Sequence, residues 1–229
     1  MTELLSSLTE FLVAVRGAQP LLLSGLVKTA EAAILAILLG TAFGLIFGLM
    51  LVYGGKILRL AVKIYVDVAR GIPGLVKIFT VYYLVNQLVI EATGYRMSAM
   101  LCGIIALAIH ASAQIAEMTR GAIQALPRGQ SEAGKAIGLT FGQIQFNVIF
   151  PQAIRQILPT WVTSAGEVVK GTTLLSLISV PEFFVAIKEA AAREYIFFSF
   201  YLFAMLVYFV IIYGIELFGR HLEARFNKY

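Results

Sequence analysis

The chain has 229 residues, of which 59% are hydrophobic and only 14% are charged, and its formal net charge at pH 7 is +5. Soluble domains are nearer half apolar and a quarter charged, so this composition excludes an ordinary soluble domain and indicates a surface largely in contact with lipid. The excess of positive charge does not indicate a nucleic-acid site, because the lysines and arginines sort by side of a membrane and form no single stripe.

Long stretches without a charged residue predict five transmembrane helices, since a bilayer core about 30 Å thick requires roughly 20 apolar residues per helix. The predicted helices cover about 22–53, 72–90, 97–125, 156–180 and 195–218. Runs of this length are unlike the short alternating strands of an outer-membrane barrel. No duplicated halves or linkers are visible, so we expect one all-α transmembrane domain over 1–229, without a cleaved signal peptide.

The first predicted helix contains a ladder of three glycines, Gly40, Gly44 and Gly48, spaced four residues apart. Small residues on one face allow helices to approach closely in lipid. The ladder serves either packing within the chain, which we favour, or association of two copies.

The distribution of basic residues predicts the orientation of the helices. One set falls between alternate predicted helices and after the last one: Lys56, Arg59, Lys63, Arg70, Arg120, Arg128, Lys135, Arg155, Arg220, Arg225 and Lys228. The opposite side holds only Arg16, Arg96, Lys188 and Arg193. Because cytoplasmic segments are enriched in Lys and Arg, we expect the N-terminus outside and the C-terminus in the cytoplasm of a bacterial inner membrane.

The apolar segment 136–154 is predicted to be a cytoplasmic element and not a sixth span. It contains several polar residues, two glycines and Pro151, and a sixth span would move the basic C-terminus outside. Its apolar side chains then indicate an interface with a protein partner. We expect a short helix near 129–137, a bend at Gly138 and a second short helix that ends at Pro151.

The stretch from Glu132 to Pro151 contains a spaced motif: Glu132-Ala133-Gly134, then Gly138, then Val148-Ile149-Phe150-Pro151. It resembles the EAA loop of permease subunits of ATP-binding-cassette (ABC) importers, with Gly134 in the usual alanine position. Further segments resemble the polar amino acid branch of these permeases, of histidine, glutamine and arginine type. They are Gly25–Thr29, Arg70–Pro73, Glu117–Gly121, Gly129-Gln130, Pro151–Arg155, Leu158-Pro159, Lys170–Leu174 and Val180–Glu182.

The resemblance implies the fold and the assembly of the protein. It implies a type I importer bundle of two permease subunits, either identical or different, that receives its cargo from an extracytoplasmic solute-binding protein. ATP hydrolysis would be performed by partner ATPase subunits, so the chain itself would not be an enzyme and would hold no cofactor. The loop over about 126–155 would couple the ATPase to the helices through Glu132, Ala133, Gly134, Gly138 and Pro151.

A near-match to a nucleotide-binding loop, Gly129-Gln-Ser-Glu-Ala-Gly134-Lys135-Ala136, does not predict ATP binding. The residue that would hold Mg²⁺ is Ala136 instead of Ser or Thr, and no buried strand precedes the segment. No residues have the spacing of a metal site, and no nucleophile and base pair is recognisable.

Ionisable and polar residues inside the predicted helices are candidates for the substrate pathway. Glu167 and Lys170 lie three residues apart on one helical face, close to the hydroxyls of Thr163, Ser164, Thr172 and Thr173. They either bind the ammonium and carboxylate of an amino acid or simply neutralise each other. Asn86 and Gln87 either line the pathway or bond between helices. We expect structural roles for His110 and for the pair Glu117 and Arg120.

The sequence therefore predicts a permease subunit for polar amino acids or opine-like derivatives. One alternative is another importer branch, for an osmolyte or an organic anion. A channel or membrane enzyme that works without an ATPase is disfavoured, because neither requires an ATPase-docking loop.

Overall fold

The computed structural model describes residues 2–226, with side chains described over 9–225. The described chain is helical and contains no strand, as predicted. Its helices are α1 (Thr2–Tyr53), α2 (Lys56–Gly71), α3 (Gly74–Phe79), α4 (Asn86–Thr93), α5 (Ala99–Ala125), α6 (Arg128–Ala136), α7 (Phe141–Ile144), α8 (Phe150–Gly171), α9 (Phe183–Glu194) and α10 (Phe197–Phe226). π-Helical segments join α3 to α4 and α7 to α8, and a 3₁₀ segment, Thr172–Ile178, follows α8.

Four segments of the described chain are long and apolar enough to cross a membrane: Thr9–Tyr53, Gly74–Thr93, Ala99–Ala125 and Phe197–Arg225. A fifth span arises if Phe141–Ile178 and Phe183–Glu194, whose axes differ by 56°, are counted as one bent crossing. The prediction of an all-α membrane protein with about five spans is confirmed.

Helices α1 and α2 differ from the sequence expectation, and α9 was not predicted. Helix α1 begins at Thr2 and not near residue 22, because Ala14, Ala18 and Leu22 follow one another at helical spacing and are buried. Helix α2, which we did not predict, buries Val62, Val66 and Ala69 on one side. Both segments contain charged residues, so a search for long stretches without a charge did not identify them as helices.

A break separates α2 from α3 at Ile72 and Pro73. Ile72, which precedes Pro73, is extended, with φ −85° and ψ 132°. A residue before proline avoids the helical region, because the proline ring collides with its backbone there.

The chain divides into two compact units. The first unit comprises the described residues of Met1–Leu35, Gly74–Ala106 and Val169–Tyr213. The second comprises Ala36–Pro73, Leu107–Val168 and the described part of Gly214–Tyr229.

The core of the first unit centres on a buried carboxylate, Glu182, at the start of α9. Its oxygens accept hydrogen bonds from the backbone N–H groups of Phe184 (2.8 Å) and Val185 (2.9 Å) and from the hydroxyl of Tyr208 (3.2 Å). The hydroxyl of Thr29 accepts a bond from the N–H of Phe183 at 3.0 Å. A buried carboxylate is tolerated only when it is bonded in this way, so Glu182 fixes α9 to α1 and α10.

The core of the second unit depends on direct contact between α1 and α5. A Cβ atom built on Gly40 would lie 2.5 Å from the Cβ of Ala111, and one on Gly44 would lie 2.6 Å from the Cβ of Ile115. A Cβ atom built on Gly48 would likewise collide with the side chain of Thr119. The glycine ladder is therefore used for packing within the chain, the interpretation that we favoured.

Candidate functional site

Two features of the second unit are candidates for function. One is the pair of short helices α6 and α7 with the bend between them, and the other is a polar cavity. We call residues 128–149 the α6–α7 element. Gly138 lies between its two helices with φ +81°, a backbone conformation that favours glycine. The N–H of Gly138 donates to the carbonyl of Lys135 at 3.0 Å, and that of Leu139 to the carbonyl of Gly134 at 3.0 Å. The bend predicted at Gly138 is present.

The start of α7 is stabilised by a reciprocal capping arrangement. The backbone N–H of Thr140 donates to Oε1 of Gln143 at 2.8 Å, and the N–H of Gln143 donates to the Thr140 hydroxyl at 3.4 Å. Two donors that the helix leaves unpaired are thereby satisfied.

The expected end of the second helix at Pro151 is wrong. Helix α8 begins at Phe150 and continues through Pro151 to Gly171, directly after the π-helical segment Gln145–Ile149. Proline is tolerated in the first turn of a helix, and the π-helical segment changes the hydrogen-bonding register immediately before it. The α6–α7 element is therefore continuous with a long helix.

The α6–α7 element has a buried and an exposed side. Ile144 and Ile149 are buried in a core with side chains of α1, α5 and α8, so this part of the apolar surface is covered within the chain. Ile137 (77%), Phe141 (62%) and Phe146 (72%) are instead largely exposed. Among the motif residues, Glu132 and Ala133 are exposed and Gly134 is buried. The exposed apolar residues form a surface that a protein partner can cover.

Gly134 is small because α7 lies directly against it. A Cβ atom at this position would lie 2.8 Å from Cγ1 of Ile144. The departure from alanine in the motif therefore has a packing reason, since Ile144 occupies the space of the missing methyl group.

We expect Gly134→Leu to lower the free energy of unfolding by about 1–3 kcal/mol, the usual cost of overpacking a closed contact. Thermal unfolding of the purified chain in detergent measures this change. Gly129→Leu in the same helix is the control, because a Cβ at Gly129 meets nothing within 4 Å. Equal stabilities of the two variants would contradict the packing role of Gly134.

A polar cavity of about 560 Å³ lies in the second unit among α2, α5 and α8. Its size is within the range of small-molecule sites. It is lined by Arg70, His110, Gln114, Glu117, Met118, Thr163, Ser164 and Glu167. One arginine, one histidine and two glutamates therefore contribute to its walls.

Hydrogen bonds organise the cavity walls. The Ser164 hydroxyl donates to Oε1 of Gln114 at 2.8 Å, and the side-chain amide of Gln114 lies 3.1 Å from Nε2 of His110. Glu117 forms an ion pair with Arg120, in which Nε donates at 3.1 Å. The same lining also holds Arg70 and Glu167, two side chains of opposite charge, and we consider these two for a ligand.

The candidate pathway residues occupy different environments. Glu167 lines the cavity, as do Thr163 and Ser164. Lys170 is exposed, and the buried Thr172 donates to the carbonyl of Val169. Thr173 donates in the same way to the carbonyl of Lys170.

Asn86 and Gln87 make hydrogen bonds within the first unit. Asn86 is buried, accepts from the N–H of Met97 at 2.9 Å and donates to its carbonyl at 3.3 Å. Gln87 is exposed and donates to Glu91 at 2.9 Å. These contacts join Asn86 to the segment between α4 and α5 and not to another helix. The pathway roles of Asn86, Gln87, Lys170, Thr172 and Thr173 stay predictions.

The sequence interpretation did not assign Arg70, His110, Gln114 or Glu117 to a ligand site. His110, Gln114 and Glu117 follow one another at spacings of four and three residues along an apolar helix. This polar stripe was a usable signal, because residues at these spacings share one helical face. Arg70 gave no comparable signal, since its position at the cavity depends on the fold of α2 against α5.

The chain is similar to known membrane transport proteins. Residues 40–228 match the family described as "Binding-protein-dependent transport system inner membrane component". The chain is 30% identical over 210 residues to the probable amino-acid ABC transporter permease protein YckA of Bacillus subtilis, covering 92% of this chain and 91% of that protein. It is 35% identical over 167 residues to the octopine transport system permease protein OccM of Rhizobium radiobacter, covering 70% and 67%. A crystal structure of an amino acid ABC transporter with histidines matches with a TM-score of 0.82 at 30% identity, over 93% of this chain and 97% of that one.

Proposed function

The chain belongs to the family of inner membrane components of binding-protein-dependent transport systems, and we propose that it moves polar amino acids or opine-like derivatives through its own polar cavity. It is a multi-pass amino-acid ABC importer permease of the inner membrane. The observation that supports this choice of cargo is that Arg70 and Glu167, which carry opposite charges, line the same cavity.

These two charges are complementary to an amino acid. A guanidinium binds a carboxylate with two parallel hydrogen bonds, so Arg70 suits the substrate carboxylate. Glu167 suits an ammonium or another cationic group, and the hydroxyls of Thr163 and Ser164 supply further polar contacts. The solved relative contains histidines and OccM is named for octopine, which agrees with a polar cargo.

We propose that partner ATPase subunits hydrolyse ATP and bind the exposed side of the α6–α7 element, through Glu132 and Ala133 and the apolar surface of Ile137, Phe141 and Phe146. In this proposal Gly134 and Gly138 maintain the shape of the element, and Pro151 begins the helix that leaves it. Opening and closing of the ATPase would then move α8 and the cavity wall.

We propose an assembly of two permease subunits with an extracytoplasmic solute-binding protein and two ATPase subunits. The N-terminus would lie outside and the C-terminus in the cytoplasm, which the bias of Lys and Arg supports. This orientation places the α6–α7 element on the cytoplasmic side, where an ATPase has access to it.

The test is uptake into proteoliposomes that contain the chain, its cognate ATPase and binding protein, with labelled histidine, arginine, glutamine, octopine, an osmolyte and an organic anion. We expect ATP-dependent uptake of one or more of the amino acids or octopine. Uptake of only the osmolyte or the organic anion would move the chain to another importer branch. Uptake without the ATPase would contradict the importer mechanism.

In the same assay we expect Glu167→Gln to lower uptake by tenfold or more, because a charge-assisted hydrogen bond contributes about 1.5–3 kcal/mol. Basal ATP hydrolysis should not change. Glu189→Gln is the matched control, since Glu189 is exposed on α9 in the first unit. Equal uptake by the two variants would exclude a substrate contact at Glu167.

A further inference from the structure

Tyr53, the last residue of α1, contacts the α6–α7 element in two ways. Its hydroxyl donates a hydrogen bond to Oε1 of Gln145 at 2.5 Å. Its ring meets that of Phe141 edge to face, with centroids 5.4 Å apart and an angle of 83° between the planes. Gln145 is buried in the π-helical segment, so removal of the tyrosine hydroxyl leaves a buried acceptor without this partner.

Other contacts fix the same end of α1 in place. Leu49 and Val52 pack against the core that contains Ile144 and Ile149 of the α6–α7 element. The guanidinium of Arg59 donates to the carbonyls of Val52 at 3.1 Å and Gly54 at 3.2 Å. The end of α1 is therefore attached to the element by both polar and apolar contacts.

The C-terminal half of α1 is in turn packed tightly on α5. At Gly44 the backbone of α1 approaches α5 so closely that a Cβ atom would lie 2.9 Å from the carbonyl oxygen of Ser112. Close-packed interiors transmit displacement, because they contain little free volume to absorb it. Helix α5 carries His110, Gln114 and Glu117 into the cavity.

We propose that Tyr53 is a positioning residue that passes movement of the α6–α7 element to α1, so that α1 and α5 move the cavity wall together with α8. This inference rests on the coupling role proposed above for the α6–α7 element. The direct connection through α8 moves the wall that holds Thr163, Ser164 and Glu167. The connection through Tyr53 moves the lining residues on α5, which are His110, Gln114 and Glu117.

The proposal predicts partial uncoupling when the hydrogen bond is removed. The measurement is the number of substrate molecules imported per ATP hydrolysed by the complete complex in proteoliposomes. For Tyr53→Phe we expect this ratio to fall about fivefold, within the range by which single residues alter coupling between sites. Binding-protein-stimulated ATP hydrolysis should persist, since the ring contact with Phe141 and the exposed side of the element are unchanged.

Gln145→Leu removes the same bond from the other side and should lower the ratio to the same extent. The double variant should be no worse than either single one, because both remove one interaction. Tyr95→Phe is the control for a lost hydroxyl, since Tyr95 is exposed outside the second unit. Recovery of the complex by size-exclusion chromatography verifies assembly in each variant.

An unchanged ratio in Tyr53→Phe and Gln145→Leu would overturn the proposal. So would a proportional loss of uptake and hydrolysis, or additive effects in the double variant, since these indicate general damage. Failure of the unmodified complex to import any substrate with ATP would instead contradict the proposed function itself.

Discussion

Gly138→Val should abolish ATP-coupled uptake while the chain still assembles in the membrane. Gly138 has φ +81°, and a β-branched side chain is strongly disfavoured there. Backbone strain of this kind costs about 1–3 kcal/mol per residue, which is enough to change the angle between α6 and α7. The effect arises from the backbone alone, because a Cβ at position 138 would meet nothing within 4 Å.

The measurement is substrate-stimulated ATP hydrolysis together with uptake in proteoliposomes. Gly138→Asn is the matched variant, since asparagine tolerates the left-handed conformation better than other residues and should retain most of the activity. Gly142→Val controls for added bulk, because a Cβ at position 142 also meets nothing within 4 Å and its φ is not positive. Full coupling in Gly138→Val would show that the bend does not serve the ATPase.

Gly44→Leu should prevent stable folding of the second unit. A side chain at position 44 would collide with the Cβ of Ile115 at 2.6 Å and with the carbonyl oxygen of Ser112 at 2.9 Å, and neither atom is the end of a flexible side chain. We expect a loss of about 3 kcal/mol or more in the free energy of unfolding, at the upper end of overpacking effects. Thermal unfolding in detergent and the yield of monodisperse protein measure it.

Gly121→Leu is the control on α5, where a Cβ atom would meet nothing within 4 Å. The Gly44→Leu variant distinguishes packing within the chain from association of two copies, the two uses of the glycine ladder. Packing within the chain predicts that Gly44→Leu lowers the unfolding temperature of the subunit itself. A ladder that served only the association of two copies would leave that temperature unchanged and reduce the dimer fraction.

The site was only partly predictable from the sequence, and the reason differs from residue to residue. The bend at Gly138 was predictable, because a glycine between two short helical patterns indicates a special backbone angle. Glu167 was predictable as a cavity residue, because a carboxylate in an apolar helix is costly unless it faces a polar space. Asn86 is also a polar residue in an apolar helix, but it bonds to the backbone of Met97. The polarity of a side chain indicates that it needs a hydrogen-bond partner and does not identify that partner.

The sequence by itself determined the membrane environment, the helical class, the approximate spans and the family, because these follow from apolar length, charge distribution and motif spacing. Only the tertiary structure decided which faces meet. It brought Arg70 to the cavity formed with α5 and α8, and it joined Tyr53 to Gln145 across 92 residues of chain. Periodicity identifies the side of a helix that is covered, whereas the identity of the covering residue depends on long-range packing that no local pattern records.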